Sequence, residues 1–168
     1  LQFIAQLSNV YARSPHATRQ SWRFVVLASV LVMTPLAVIA GTHSGMALIS
    51  KIFSINDNLT GRVSEYLVLL CPLILLNGQR HFFSGLLVQA KLTGRMTTIN
   101  FIYLAAVTAS LLTGLALAIK PAYVVVGAET LGVIVMLCLL LWARYRLYQP
   151  PQQREHESVT FHELWGFF

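Results

Sequence analysis

The sequence predicts an all-α fold, a multi-span transmembrane helical bundle, and three observations carry that expectation. Four apolar stretches, residues 24–41, 66–90, 101–119 and 121–142, are bounded by basic loops, and the first, third and fourth contain no Lys, Arg or Asp. A hydrocarbon core of about 30 Å takes about 20 helical residues at about 1.5 Å each, which these stretches supply or nearly supply. Composition agrees: 56% hydrophobic and 11% charged residues leave far fewer charges than the ~25% usual in a soluble domain. A soluble bundle would need polar stripes along its helices, and residues 25–38 and 123–141 show none.

The third observation is the distribution of basic residues. If the first span runs outward from a cytoplasmic loop, then Arg13, Arg19, Arg23, Lys91, Arg95, Arg144, Arg146 and Arg154 lie inside, against Lys51, Arg62 and Lys120 outside. That is a positive-inside bias, and four spans then leave both ends of the sequence in the cytoplasm. The net charge of +6 is mostly this collar. It calls for no nucleic acid, and it favours a lipid bilayer with anionic headgroups.

Three regions follow. Residues 1–21 read as the end of a preceding helix and a cytoplasmic loop, 22–147 as a four-helix transmembrane bundle, and 148–168 as a linker and the start of a next helix. Ser21 is a plausible cap for the first span and Trp22 an interfacial aromatic. Pro35, inside that span, removes a backbone hydrogen bond and predicts a bend near Met33. Residues 42–62 form the longest connection, and its apolar part, 46–55, is too short to span and reads as a helical extension or interfacial turn.

The second span differs from the others. Its apolar first half, with Pro72, runs into Asn77-Gly78-Gln79-Arg80-His81 before returning to apolar sequence. On a helix Asn77, Arg80 and Ser84 share one face. An intramembrane Arg is rare and marks a functional site by default, which makes Arg80 a candidate contact for an anionic substrate. The competing reading is structural: Arg80 lies about 16 Å of helix from Lys91, near enough to snorkel toward the headgroups or to brace the bundle.

Residues 91–96 make a short basic turn, with Thr97, Thr98 and Asn100 as caps for the third span. That span carries two stripes of small residues, Ala105, Ala109, Thr113, Ala116 and Ala106, Ser110, Gly114, Ala118, which let helices approach closely. Lys120-Pro121 closes a tight hairpin, with Pro121 suited to a first helical turn. Glu129, in the fourth span, is either a proton-coupling carboxylate or a neutral hydrogen-bonded acid. Cys71 and Cys138 read as reduced packing residues in apolar spans. The five His are scattered, no CxxC spacing occurs, and the sequence points to no metal and no cofactor. In the tail, Thr160-Phe161-His162-Glu163 has capping-box spacing, and Phe161, Leu164, Trp165 and Phe168 share a helical face.

The order of elements resembles one lobe of the multidrug, oligosaccharidyl-lipid and polysaccharide exporter superfamily, and within it is most similar to the progressive ankylosis proteins and their bacterial multidrug-exporter-like (MATE-like) relatives. The resemblance rests on Leu7-Ser8-Asn9-Val10-Tyr11-Ala12-Arg13-Ser14, the basic start of a helix at Arg19 to Arg23, and Leu70-Cys71-Pro72-Leu73 followed by Phe83-Ser84-Gly85-Leu86-Leu87 and a basic turn. It ends on Phe161-His162-Glu163-Leu164-Trp165-Gly166-Phe167-Phe168. It implies helices three to six of an amino-terminal lobe of about six, a second lobe as partner, and a multi-pass protein of a bacterial inner membrane or its equivalent. Asn77-Gly78-Gln79-Arg80 is not part of the resemblance, so no residue is carried over as a substrate ligand.

The function expected is an exporter- or flippase-like transporter, not an enzyme, moving a small anionic or amphiphilic solute by alternating access with proton or sodium coupling. Candidate substrate-binding residues are Asn77, Arg80, Ser84 and Glu129. A membrane-embedded enzyme would need clustered Asp, His or Glu at a membrane face, and the spans hold no such cluster. A non-transporting four-helix scaffold or interaction subunit is the alternative, and the length of the intact reading frame separates the two.

Overall fold

The computed structural model describes residues 4–6, 8, 15–54 and 56–147. It is all-α, with no strand among the described residues. The principal helices are α1 (Pro15–Gly41), α2 (His43–Phe53), α3 (Asp57–Gln89), α4 (Thr93–Ala116) and α5 (Pro121–Leu147). Four segments are long and apolar enough to cross a membrane: His16–Gly41, Asn58–Gln89, Thr93–Ala116 and Pro121–Arg146. Such lengths and compositions fit a membrane location.

Several boundaries differ from the sequence expectation for identifiable reasons. The first helix opens at Pro15, whose ring pre-sets φ and whose missing N–H costs nothing at that position. Ser21 is therefore not a cap; it lies inside α1, fully buried. The connection after α3 is tighter than residues 91–96. Lys91 takes a left-handed φ of 58° and α4 begins at Thr93, so Thr97 and Thr98 turn their hydroxyls back to the carbonyls of Thr93 and Gly94 instead of capping. The helical reading of the outer connection holds: Thr42 caps α2 by accepting from the Gly45 N–H, and Asn56 caps α3 by accepting from that of Leu59. Pro121 opens α5 as expected.

Both internal prolines are carried within unbroken helices. Beside Pro35, the Thr34 hydroxyl donates to the Val30 carbonyl at 2.7 Å; beside Pro72, the Cys71 thiol donates to that of Leu67 at 3.4 Å. Cys71 is buried as expected. Cys138 is exposed, because its position on α5 turns away from α3 and α4, so it is not a packing residue within the bundle.

The long helices form a row in the order α1, α3, α5, α4. Trp22 and Ser29 of α1 meet Gln79 and Gly78 of α3, and Ser64 donates to the Ala40 carbonyl, so these two helices are antiparallel. Glu65 and Phe83 of α3 meet Tyr123 and Arg144 of α5, which makes that pair parallel. Gly132 of α5 fits against Tyr103 and Val107 of α4, and Gly114 of α4 against Val124 of α5. Although joined by a short turn, α3 and α4 touch only lightly, because α5 packs between them.

Connectivity places Arg19, Arg23, Lys91, Arg95, Arg144 and Arg146 at one end of the row and Lys51, Arg62 and Lys120 at the other. Arg13 and Arg154 lie outside the described residues, as does the capping-box tail. The tightest core sits in the half nearer the larger basic group: Phe24, Val25, Phe82, Phe83, Leu86, Leu87, Ile99, Met136 and Leu140 are buried together. Of the two small-residue stripes on α4, Ala106, Ser110 and Gly114 are at least half-buried, whereas Ala105 and Ala116 are exposed and Ala109 and Thr113, also exposed, rim a groove against α5. Apolar side chains such as Phe101, Leu104, Leu112 and Leu115 are exposed as well, a distribution suited to hydrocarbon rather than to water.

Candidate functional site

Beyond that core, the row opens into a cleft of about 350 Å³ lined by Leu36 of α1, by Leu70, Leu73, Ile74, Asn77, Arg80 and His81 of α3, and by Glu129 of α5. Its walls are mostly aliphatic, with Asn77, Arg80, His81 and Glu129 as the polar groups. Three of the four residues that the sequence singles out, Asn77, Arg80 and Glu129, come together here from two helices. Ser84 does not line the cleft. It lies on the same face of α3 but a turn deeper, in the tight core, 8% exposed, with no hydrogen-bond partner for its hydroxyl among the described residues.

The residue that sequence reasoning missed is Tyr103 of α4. Its phenol donates to Glu129 Oε1 at 2.8 Å, and the Arg80 guanidinium carbon stands 5.3 Å from its ring centroid. A cation over an aromatic face is attracted by the ring quadrupole, so one side chain links a positive and a negative group from different helices. Among the described residues no direct ion pair joins Arg80 to Glu129; the phenol stands between them. Along α3 and α4, Arg80 and Tyr103 each lie about 16 Å of helix from the connecting turn. The guanidinium reaches across to Tyr103 of α4, a contact that braces the bundle as the structural reading expects.

The local packing explains why these groups meet. Gly132, one helical turn from Glu129 on α5, lets the Tyr103 ring and Val107 lie against the α5 backbone; a Cβ there would stand 3.1 Å from the ring. Gly78, beside Asn77, admits Ser29 of α1 in the same way. Gln79 accepts from the Trp22 indole at 2.7 Å, which turns that residue toward α1 and leaves Asn77 and Arg80 to the cleft. A single aromatic within an apolar span gives little sequence signal. The available one was the spacing: Tyr103 and Arg80 sit at equal distances from the turn between their helices.

Chemically, this site holds a planar bidentate cation, a carboxamide, an imidazole and a carboxylate in a mostly aliphatic cleft. Comparison with family models, with curated proteins and with solved structures gives no match.

Proposed function

We propose that the chain is part of an integral membrane transporter, exporter- or flippase-like, in which the cleft between α1, α3 and α5 receives a small anionic or amphiphilic solute. The observation that carries the reading is Arg80: a permanent charge within an apolar helix, directed into a mostly aliphatic cleft and unpaired by any carboxylate among the described residues. Keeping a cation there is costly. An anion that pairs with it would offset the cost, and Asn77 would supply further hydrogen bonds while the ligand's apolar part lies on Leu36, Leu70, Leu73 and Ile74.

The asymmetry of packing supports the same reading. Residues 82–87 close one half of the row, while the cleft occupies the middle and the half toward Lys51, Arg62 and Lys120. With the larger basic group inside, the tight core is a cytoplasmic seal beneath a cleft on the outer side. Alternating access then requires a second lobe to rock against this one, in line with the exporter resemblance.

The test uses the intact protein reconstituted in lipid vesicles and a panel of radiolabelled organic anions. Wild type is expected to move at least one of them. Arg80→Gln should cut that flux about ten- to a hundredfold, the range set by losing a charge-assisted hydrogen bond. Arg80→Lys should be intermediate, because it keeps the charge and loses the planar fork. Equal amounts of folded protein in the membrane must accompany both losses. Unchanged flux in Arg80→Gln removes Arg80 from the site, and no flux in wild type turns the reading to the four-helix scaffold.

A further inference from the structure

We infer that the cleft binds an anion together with one proton, and that the proton goes to Glu129. The inference rests on the anion-binding reading of the cleft and adds its charge balance. The ionisable groups around the site are Arg80 and His81 from α3, Tyr103 from α4 and Glu129 from α5, while α1 contributes only Leu36. With His81 and Tyr103 neutral, Arg80 and Glu129 cancel, and Tyr103 carries the link between them. The empty site is thus neutral overall without an ion pair.

An arriving anion breaks that balance. Its charge pairs with Arg80, and the Glu129 carboxylate, half-buried in a mostly aliphatic cleft, is then left uncompensated, which is disfavoured. One proton from water restores neutrality. It adds to Oε2 of Glu129, while Oε1 continues to accept from the Tyr103 hydroxyl, so that bond survives. The net charge of the site is the same before and after: one anion and one proton enter together and leave together.

Tyr103 acts as a positioning residue in this scheme. By standing between Arg80 and Glu129 it prevents a direct ion pair that would compete with the ligand for the guanidinium, and it keeps the two charges near enough for one to sense the other's partner. A neutral ligand of the same shape would disturb nothing and carry no proton.

The experiment is titration calorimetry of the full chain in nanodiscs, with hexanoate as the anionic probe, hexanamide as its neutral counterpart and empty nanodiscs as the blank. Buffers of different ionisation enthalpy report protons taken up. Between neutral and mildly acidic pH, above the acid's own titration, hexanoate should bind with about one proton, and its affinity should fall about tenfold for each unit rise in pH. Glu129→Gln, which keeps an oxygen for Tyr103, should bind hexanoate with no proton uptake and no such pH slope. Binding that is lost in Arg80→Gln but carries no proton in wild type overturns the proton pairing and leaves the anion site standing. Proton uptake that persists in Glu129→Gln also overturns it, and places the proton on His81 or on the ligand's own carboxylate. Hexanamide binding as tightly as hexanoate, or no hexanoate binding at any pH, overturns both the pairing and the anion site.

Discussion

The informative comparison among single residues is between two polar side chains that are buried in different ways. Ser84 keeps a hydroxyl without a partner among the described residues, whereas the Tyr103 hydroxyl is matched to a carboxylate. An unsatisfied buried group contributes nothing when kept, so Ser84→Ala should leave stability within about 0.5 kcal/mol of wild type or raise it. Tyr103→Phe keeps the ring over which Arg80 lies and deletes the hydroxyl that donates to Glu129 and that Arg80 also approaches. It should lower stability by about 1–3 kcal/mol, the range for a hydrogen bond to a charged group. Thermal unfolding in detergent checks both; a large loss in Ser84→Ala would mean that the hydroxyl makes a hydrogen bond within the core. Arg80 and Glu129 were legible in the sequence because a charge in an apolar run stands out. Tyr103 was not, because an aromatic in such a run is what packing alone would place there.

Helix packing in the row depends on where a backbone can approach another, and the glycines sort themselves on that criterion. A Cβ on Gly114 would stand 2.6 Å from Cγ1 of Val124 and 3.2 Å from its Cβ, and a β-branched side chain has little freedom to move aside. Gly114→Ala should therefore destabilise the α4–α5 pair by about 1–3 kcal/mol. Nothing lies within 4 Å of a Cβ on Gly127, one turn along α5 from Val124. There the same change should be neutral or stabilising by up to about 1 kcal/mol, the helix-propensity gain. If both variants unfold at the same temperature, α4 and α5 do not pack as described. The sequence placed small residues along α4 correctly but could not tell which stripe packs: Ala106, Ser110 and Gly114 are at least half-buried, while Ala105 and Ala116 are exposed and Ala109 and Thr113 only rim the groove against α5. Period alone marks two adjacent faces as equally smooth, and only the order of helices in the row decides between them. Helix ends were misplaced for a related reason. Ser21 and Thr97 have capping chemistry, yet Pro15 and the left-handed Lys91 had already started their helices.

For the whole molecule, the distribution of charge along the row sets the expected direction in which it sits in a bilayer. Six of the basic residues assigned to the inner side fall at one end of the row, and the three assigned to the outer side fall at the other, because α1, α3, α4 and α5 alternate in direction. That end-to-end segregation was legible in the sequence from loop charges alone. The row was not: span lengths and loop charges do not say which helices are neighbours, and α5 inserts between α3 and α4 and leaves α4 at the edge. Orientation follows from the energetics of translocation. Loops rich in Lys and Arg tend to be retained in the cytoplasm, so the orientation we propose puts the ends of α3 and α5 and the start of α1 inside, and α2, with its exposed Leu48, Ile52 and Phe53, at the outer interface. A single Cys introduced at Asn58, in a Cys71→Ala and Cys138→Ala background, should react in whole cells with a membrane-impermeant maleimide. One introduced at Arg95 should react only after the membrane is opened. A reporter fused after Tyr148 should be cytoplasmic. If Asn58 is protected and Arg95 reacts from outside, the molecule is inverted, the cleft lies nearer the cytoplasm, and the seal formed by Phe82, Phe83, Leu86 and Leu87 closes the outer side instead.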